Sequence, residues 1–426
     1  MYQNLPQVGL KTLKSAAKMK RRRKQLGLLT LLLTAVAAGS AGAAPRADGP
    51  ESELPGPAKV AAGPTPPHAH GPSTLDPSLD HTAERLLRGA KPVEGAIVAL
   101  DPKTGRVLAF HAIAASGSGF EVLTSARLPA ASLFKVVTTT ALFESTSVSP
   151  QDHVCINGGV HGIERRHLEP ARGPGSECGR FAWALGHSKN AVFAQLATRL
   201  LTRETLMGTA ERLGFNSKLP LDDGEESAEL GRLTLPYNDL EFARAAAGFQ
   251  GSSLSPLGAA YLMTLIARGG APVPLRLHDV VAEPASDTDD VPAAPHPSPA
   301  FSPRTAQRLT RMLEVTVETG TSRGAFTAPD GKRYLPGIRV AGKTGTLRPE
   351  QGEDTMTSWF IGFAPSRSPE IVVSVMLVNG HTYRRKANEL ARDLLRTYFH
   401  AHGHAQSVSD PFAPQGPEAL AVAASE

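Results

Sequence analysis

Two kinds of apolar pattern organise this chain. Residues 95–110, GAIVALDPKTGRVLAF, place two apolar runs on either side of Asp-Pro-Lys-Thr-Gly. Apolar runs joined by such a turn predict a β-hairpin. GIRVAGKTGTL (337–347), TSWFIGFAP (357–365) and IVVSVMLVN (371–379) read as three more strands. After them Ala387, Leu390, Ala391, Leu394, Leu395 and Tyr398 recur at helical spacing. That pattern predicts an amphipathic helix packed on a sheet. The middle of the chain is mostly helical in pattern. Ser302-Pro303 supplies a cap and a first-turn proline for a helix carrying Leu309, Met312 and Leu313. Together these elements predict an α+β (α/β) domain. An antiparallel five-stranded sheet is flanked by helices, with a mostly helical subdomain inserted between the hairpin and the last three strands.

The pattern changes outside this region. LGLLTLLLTAVAAGSAGAA (26–44) has no charged residue. It follows a basic segment, 1–25, in which residues 1–24 carry eight Lys and Arg and no acid. Positive charge before an apolar run keeps the N-terminus cytoplasmic and sends the rest across the membrane. The run reads as a signal anchor or a signal peptide. Residues 45–77 hold nine prolines. We read 45–82 as a Pro-rich extended spacer. The folded domain is then expected at 83–400, with a disordered loop at 283–303 and a disordered tail at 401–426. His400, His402 and His404 raise a metal reading, but a solvated tail accounts for them better.

Charge changes the picture once it is located. The 426 residues carry a net charge of +5, but residues beyond 24 carry 37 basic and 40 acidic side chains. The basic balance is therefore one N-terminal block that orients the chain at the membrane, and nucleic acid is not an expected partner. Two cysteines exclude a zinc-finger array or an iron–sulfur protein.

Three short motifs carry the chemistry: Ser132-Leu-Phe-Lys135, Ser188-Lys-Asn190 and Lys343-Thr-Gly-Thr346. Ser132 and Lys135 stand three residues apart at a helix start, so their side chains share one face. A serine hydroxyl needs an adjacent base, and a lysine serves as one only if burial or a second cation lowers its pKa. Ser188 can relay a proton, and the Asn190 amide offers both a donor and an acceptor. Lys343-Thr-Gly-Thr346 falls on a predicted edge strand that can pair with an extended peptide. Gly345 lets a ligand approach the backbone. Lys343, Thr344 and Thr346 suit a carboxylate.

Each motif alone is weak. Ser15 and Lys18 also make an S-x-x-K, in the basic segment. Gly337 to Thr344 matches the P-loop pattern G-x-x-x-x-G-K-T, but a Gly and a Pro stand where the following phosphate-binding helix is needed. The combination is informative, with spacings of 56 and 155 residues, each motif on its expected element.

With these motifs the chain resembles the transpeptidase domain of penicillin-binding proteins, the active-site serine D,D-peptidases. The opening hairpin, RAAAGFQGSSLSPLGAAYLMTLIARGG, GTSRGAF and SWFIGFAP carry the resemblance over about 90–400. It implies a D,D-transpeptidase that cross-links peptidoglycan stem peptides and is acylated by β-lactams, with carboxypeptidase activity as a variant. Ser132 would be the nucleophile, Lys135 its base and Ser188 a proton relay. Asn190 would hold the substrate amide, and Lys343, Thr344 and Thr346 its carboxylate. The backbone N–H groups of Ser132 and Thr346 would form the oxyanion hole. No cofactor or metal is implied.

There are departures. Ala130-Ala131 replaces the frequent Pro-Gly before the nucleophile. Nothing resembling a glycosyltransferase domain precedes this one, which suggests a separate glycosyltransferase as partner. A β-lactamase on the same scaffold would need a glutamate poised on water, and GEESAEL (224–230) is not that pattern. A non-catalytic penicillin sensor would need an output domain.

Cys155 and Cys178 lie between the first two motifs. Export to an oxidising compartment favours a disulfide there. Free thiols, or a metal site with His153, His161 and His167, are the alternatives.

Overall fold

The computed structural model describes residues 71–160, 162–222, 226–279, 298–347, 355–380 and 384–403. The chain divides into two units, Met1–Pro66 and Pro67–Glu426, and every described residue lies in the second. The segment 26–44, the spacer through residue 70, most of the loop and the tail beyond 403 fall outside the described residues. Among the described residues no helix is long and apolar enough to cross a membrane.

The centre is a five-stranded antiparallel sheet. Its strands are β1 (Glu94–Leu100), β2 (Val107–Ile113), β3 (Ala341–Leu347), β4 (Met356–Ala364) and β5 (Ile371–Asn379). Their order is β3-β4-β5-β1-β2, so β3 lies at an edge. The hairpin and the three late strands thus share one sheet, joined by the β1–β5 pairing. All of β1 is buried, because both faces of the sheet are covered. Ala96, Val98 and Leu100 face an inner core, and Ile97 and Ala99 face an outer one. That explains a continuous apolar run where a half-exposed strand would alternate.

Helix α1 (Pro77–Ala90) packs on the outer side. It begins inside the segment read as spacer, which corrects that boundary. Asp76 caps Ser78 and Leu79 through its carboxylate, and Pro77 takes the first helical position, where its missing N–H costs nothing. Leu79, Ala83, Leu87 and Ala90 form the buried stripe. The proline count hid this helix. The loop boundary moves in the same way, since Ala300 and Phe301 are buried. The run from 337 is a strand only from Ala341. Ile338 and Val340 pack into the outer core ahead of it.

The inserted region carries helices α2 (Phe134–Ser145), α3 (Asn190–Leu200), α4 (Asp239–Ala246), α5 (Pro256–Ala267) and α6 (Pro303–Glu318). Helices α2 and α5 are buried nearly all round, as suits apolar helices at the centre of a domain. Short β pairs punctuate this region, including His153–Ile156 with Glu177–Arg180. Helix α7 (Ala387–Ala401) closes the outer face with Leu390, Ala391, Leu394 and Leu395.

Candidate active site

Ser132 sits in a tight turn, Ala131–Leu133, that runs into α2. Lys135 is one turn further on and fully buried. Its Nζ lies 2.7 Å from Ser132 Oγ and donates to the Ala247 carbonyl at 2.7 Å. Burial, with Lys343 nearby as a second cation, holds the Lys135 pKa well below the usual lysine range. The neutral amine is thereby favoured, and it lies beside the Ser132 hydroxyl.

The turn is held from three sides. Trp359 of β4 donates its indole N–H to the Pro129 carbonyl at 3.1 Å. A Cβ on Gly248 would stand 2.1 Å from the Ala131 carbonyl oxygen. A Cβ on Gly345 would stand 3.2 Å from Leu133, so the missing side chain lets β3 lie against the nucleophile turn. Ala131 has φ +49°, the left-handed region. A residue at this position needs a conformation that glycine adopts freely and alanine adopts at a cost of about 1–2 kcal/mol. The Ala-for-Gly departure noted in the sequence is therefore a strained position.

Ser188 and Asn190 flank the start of α3. Lys343 reaches from β3 and donates to Ser188 Oγ at 3.1 Å and to the Thr344 carbonyl at 2.8 Å. It is fully buried, and burial lowers its pKa to about 7. Asn190 donates its amide to the Val160 carbonyl at 2.7 Å. Lys189 turns away, paired with Glu177 at 2.6 Å and stacked over Trp183. Thr344 Oγ1 lies 2.6 Å from Thr321 Oγ1.

Ser132, Ser188, Asn190, Thr344 and Thr346 line one cleft of about 360 Å³. Lys135 and Lys343 lie beneath it, each against one of its serines. A larger cavity of about 600 Å³, between α1, α7 and residues 334–338, contains none of these groups. The cleft can therefore bind an extended anionic peptide along an edge strand, and it offers a hydroxyl beside a depressed-pKa amine. Cys155 and Cys178 lie away from it. They are joined as a disulfide across the His153–Ile156 hairpin. His153 Nδ1 lies 3.8 Å from Cys155 Sγ.

Several members escaped the sequence. The carbonyls of Ala247 and Val160 leave no trace in residue type. Thr321 lay within GTSRGAF without being singled out. Trp359, Lys386 and Asn388 line the cleft from β4 and α7.

The family model described as penicillin binding protein transpeptidase domain matches residues 95–396. Peptidoglycan D,D-transpeptidase PbpA of Mycobacterium tuberculosis is 25% identical over 354 residues, 72% of this chain and 67% of that protein. A crystal structure of the D,D-transpeptidase domain of a peptidoglycan glycosyltransferase from Eggerthella lenta shares 25% identity at TM-score 0.60. That match covers 78% of this chain and 82% of that one. The ceftriaxone acyl-enzyme of penicillin-binding protein A from M. tuberculosis shares the fold at TM-score 0.59 and 21% identity, over 79% of each chain. With the match spanning both flanks of the sheet and all three motifs, the chain belongs to the penicillin-binding protein transpeptidase domain family.

Proposed function

We propose that this protein is a serine D,D-transpeptidase that cross-links peptidoglycan stem peptides and is acylated by β-lactams. The observation that carries the reading is the 2.7 Å contact between Ser132 Oγ and the buried Lys135 Nζ. Lys135 takes the Ser132 proton as the hydroxyl oxygen attacks the D-Ala–D-Ala carbonyl. The backbone N–H groups of Ser132 and Thr346 hold the developing oxyanion. The C–N bond breaks, and Ser188, linked to Lys343, delivers a proton to the departing D-Ala amine. An amine of a second stem peptide then attacks the ester and regenerates Ser132. Water as acceptor gives carboxypeptidase activity instead. Asn190 holds the donor amide, and Lys343, Thr344, Gly345 and Thr346 form the carboxylate end of the site.

One observation favours this over a β-lactamase. Among the described residues lining the cleft there is no carboxylate to activate water. Glu229 of the GEESAEL segment is engaged elsewhere, with the Ala126 N–H and Arg232. We further propose that the segment 26–44 delivers the domain beyond the cytoplasmic membrane, anchored or released, and that a separate glycosyltransferase supplies glycan strands. Residues 83–400 are the core of the transpeptidase domain, extended at its start by α1.

Labelling with a fluorescent penicillin tests the reading. We expect a stable adduct with the native protein, none with Ser132→Ala, and negligible hydrolysis of a chromogenic cephalosporin. Rapid hydrolysis supports a lactamase, and absence of both adduct and hydrolysis overturns both. A donor stem peptide with an amine acceptor, followed by product analysis, separates cross-linking from trimming.

A further inference from the structure

Residues of β3 alternate between two faces. Lys343 and Gly345 point to the nucleophile, since Lys343 meets Ser188 and a Cβ on Gly345 would meet Leu133. Thr344 and Thr346 therefore point to the other face. Thr346 pairs with Ser358, and paired residues share a face. On that side the cleft is lined by Ser358, Met356 and the start of α7, with Lys386 and Asn388.

Lys386 is exposed, its side chain lies against the Glu389 backbone at the start of α7, and among the described residues no carboxylate pairs with its ammonium. The neighbouring acids are engaged. Glu389 accepts from the Lys386 backbone N–H and lies 3.8 Å from Arg385, which also pairs with Asp393. Asn388, only 8% exposed, donates to Ser322, whose neighbour Thr321 bonds Thr344. The Asn388 Oδ1 has no hydrogen-bond partner. This chain of contacts ties the helix start to the hydroxyls of the third motif. Lys343, meanwhile, is drawn inward to Ser188 and is fully buried.

We infer that Lys386 is a specificity-determining residue: the exposed cation that recognises the ligand carboxylate resting on Thr344 and Thr346, positioned by Asn388. The inference rests on the transpeptidase reading, since it concerns that site's carboxylate end. An exposed cation over a cleft with no acid among its described lining residues attracts a carboxylate before contact and holds it afterwards, and salt screens both effects.

The test compares acylation rate constants for benzylpenicillin and its methyl ester, which lacks the free carboxylate. In the native protein the acid reacts faster than the ester. We expect Lys386→Gln to reduce that preference about 3- to 5-fold, the scale of a partly solvated ion pair. The loss lies in binding rather than in the limiting acylation rate, and Lys386→Arg restores the preference. Added salt narrows the native preference and barely moves that of the Gln variant. An unchanged acid-to-ester ratio in Lys386→Gln overturns the inference while leaving the transpeptidase reading intact. No acylation of the native protein by either compound overturns both.

Discussion

Lys135 and Lys343 are single residues whose chemistry is set by burial. Lys343 titrates at about 7 in the folded protein, against 10.5 for an ordinary lysine. The unfolded chain therefore binds more protons between those values, and stability rises with pH across that window. The penalty is fully present below about 7. Denaturant melts on either side of pH 7 check the slope, which Lys343→Met should reduce. Lys135 shifts in the same direction, so acylation should rise with pH through a limb below the usual lysine range. Penicillin acylation rates against pH measure that limb, and a limb left at the ordinary lysine position would discount Lys135 as base. The residue types of this site were legible in the sequence. The two carbonyls of Ala247 and Val160 were not, because every residue has a carbonyl and only the backbone path decides which one faces a lysine or an asparagine.

At the scale of elements, the disulfide hairpin matters more than its distance from Ser132 suggests. The Cys155–Cys178 link closes a segment that contains Val160, which holds the Asn190 amide, and adjoins Glu177, which holds Lys189. Replacing both cysteines with alanine should lower stability by roughly 3 kcal/mol on the chain-entropy model. It should also slow acylation, because the second motif loses its backing. Calorimetry and penicillin kinetics on the double variant read the two effects separately. Undiminished stability in that variant would show the link to be dispensable. Strands β1 and β5 were readable because a sheet covered on both faces writes uninterrupted apolar runs. Helix α1 was not, because its capping aspartate and first-turn proline resemble the end of a proline-rich spacer until Leu79, Ala83 and Leu87 are seen packed.

At the scale of the molecule, the outer core determines where the folded unit begins. Thr74 bonds the carbonyls of Val107 and Arg276, and α1 covers β2. A fragment spanning 71–403 should therefore fold and label with penicillin. One starting at residue 83 loses buried Leu79 and the cap of α1 and should be less stable by several kcal/mol, about 2–5 for a leucine of this kind. Thermal melts of the two fragments decide it, and equal melting temperatures would place the boundary back at 83. The order of apolar runs, the three motifs and the location of the basic block were sufficient for the class of fold and the kind of chemistry. Period and spacing are local properties, and a sequence records them directly. Only the tertiary structure brought Lys343 to Ser188 across 155 residues, put Ala131 in a left-handed turn and brought Lys386 to the cleft that Thr344 and Thr346 line. Those outcomes depend on how an edge strand, a buried helix and the start of the last helix pack together, and that packing is decided by contacts between residues far apart in the chain.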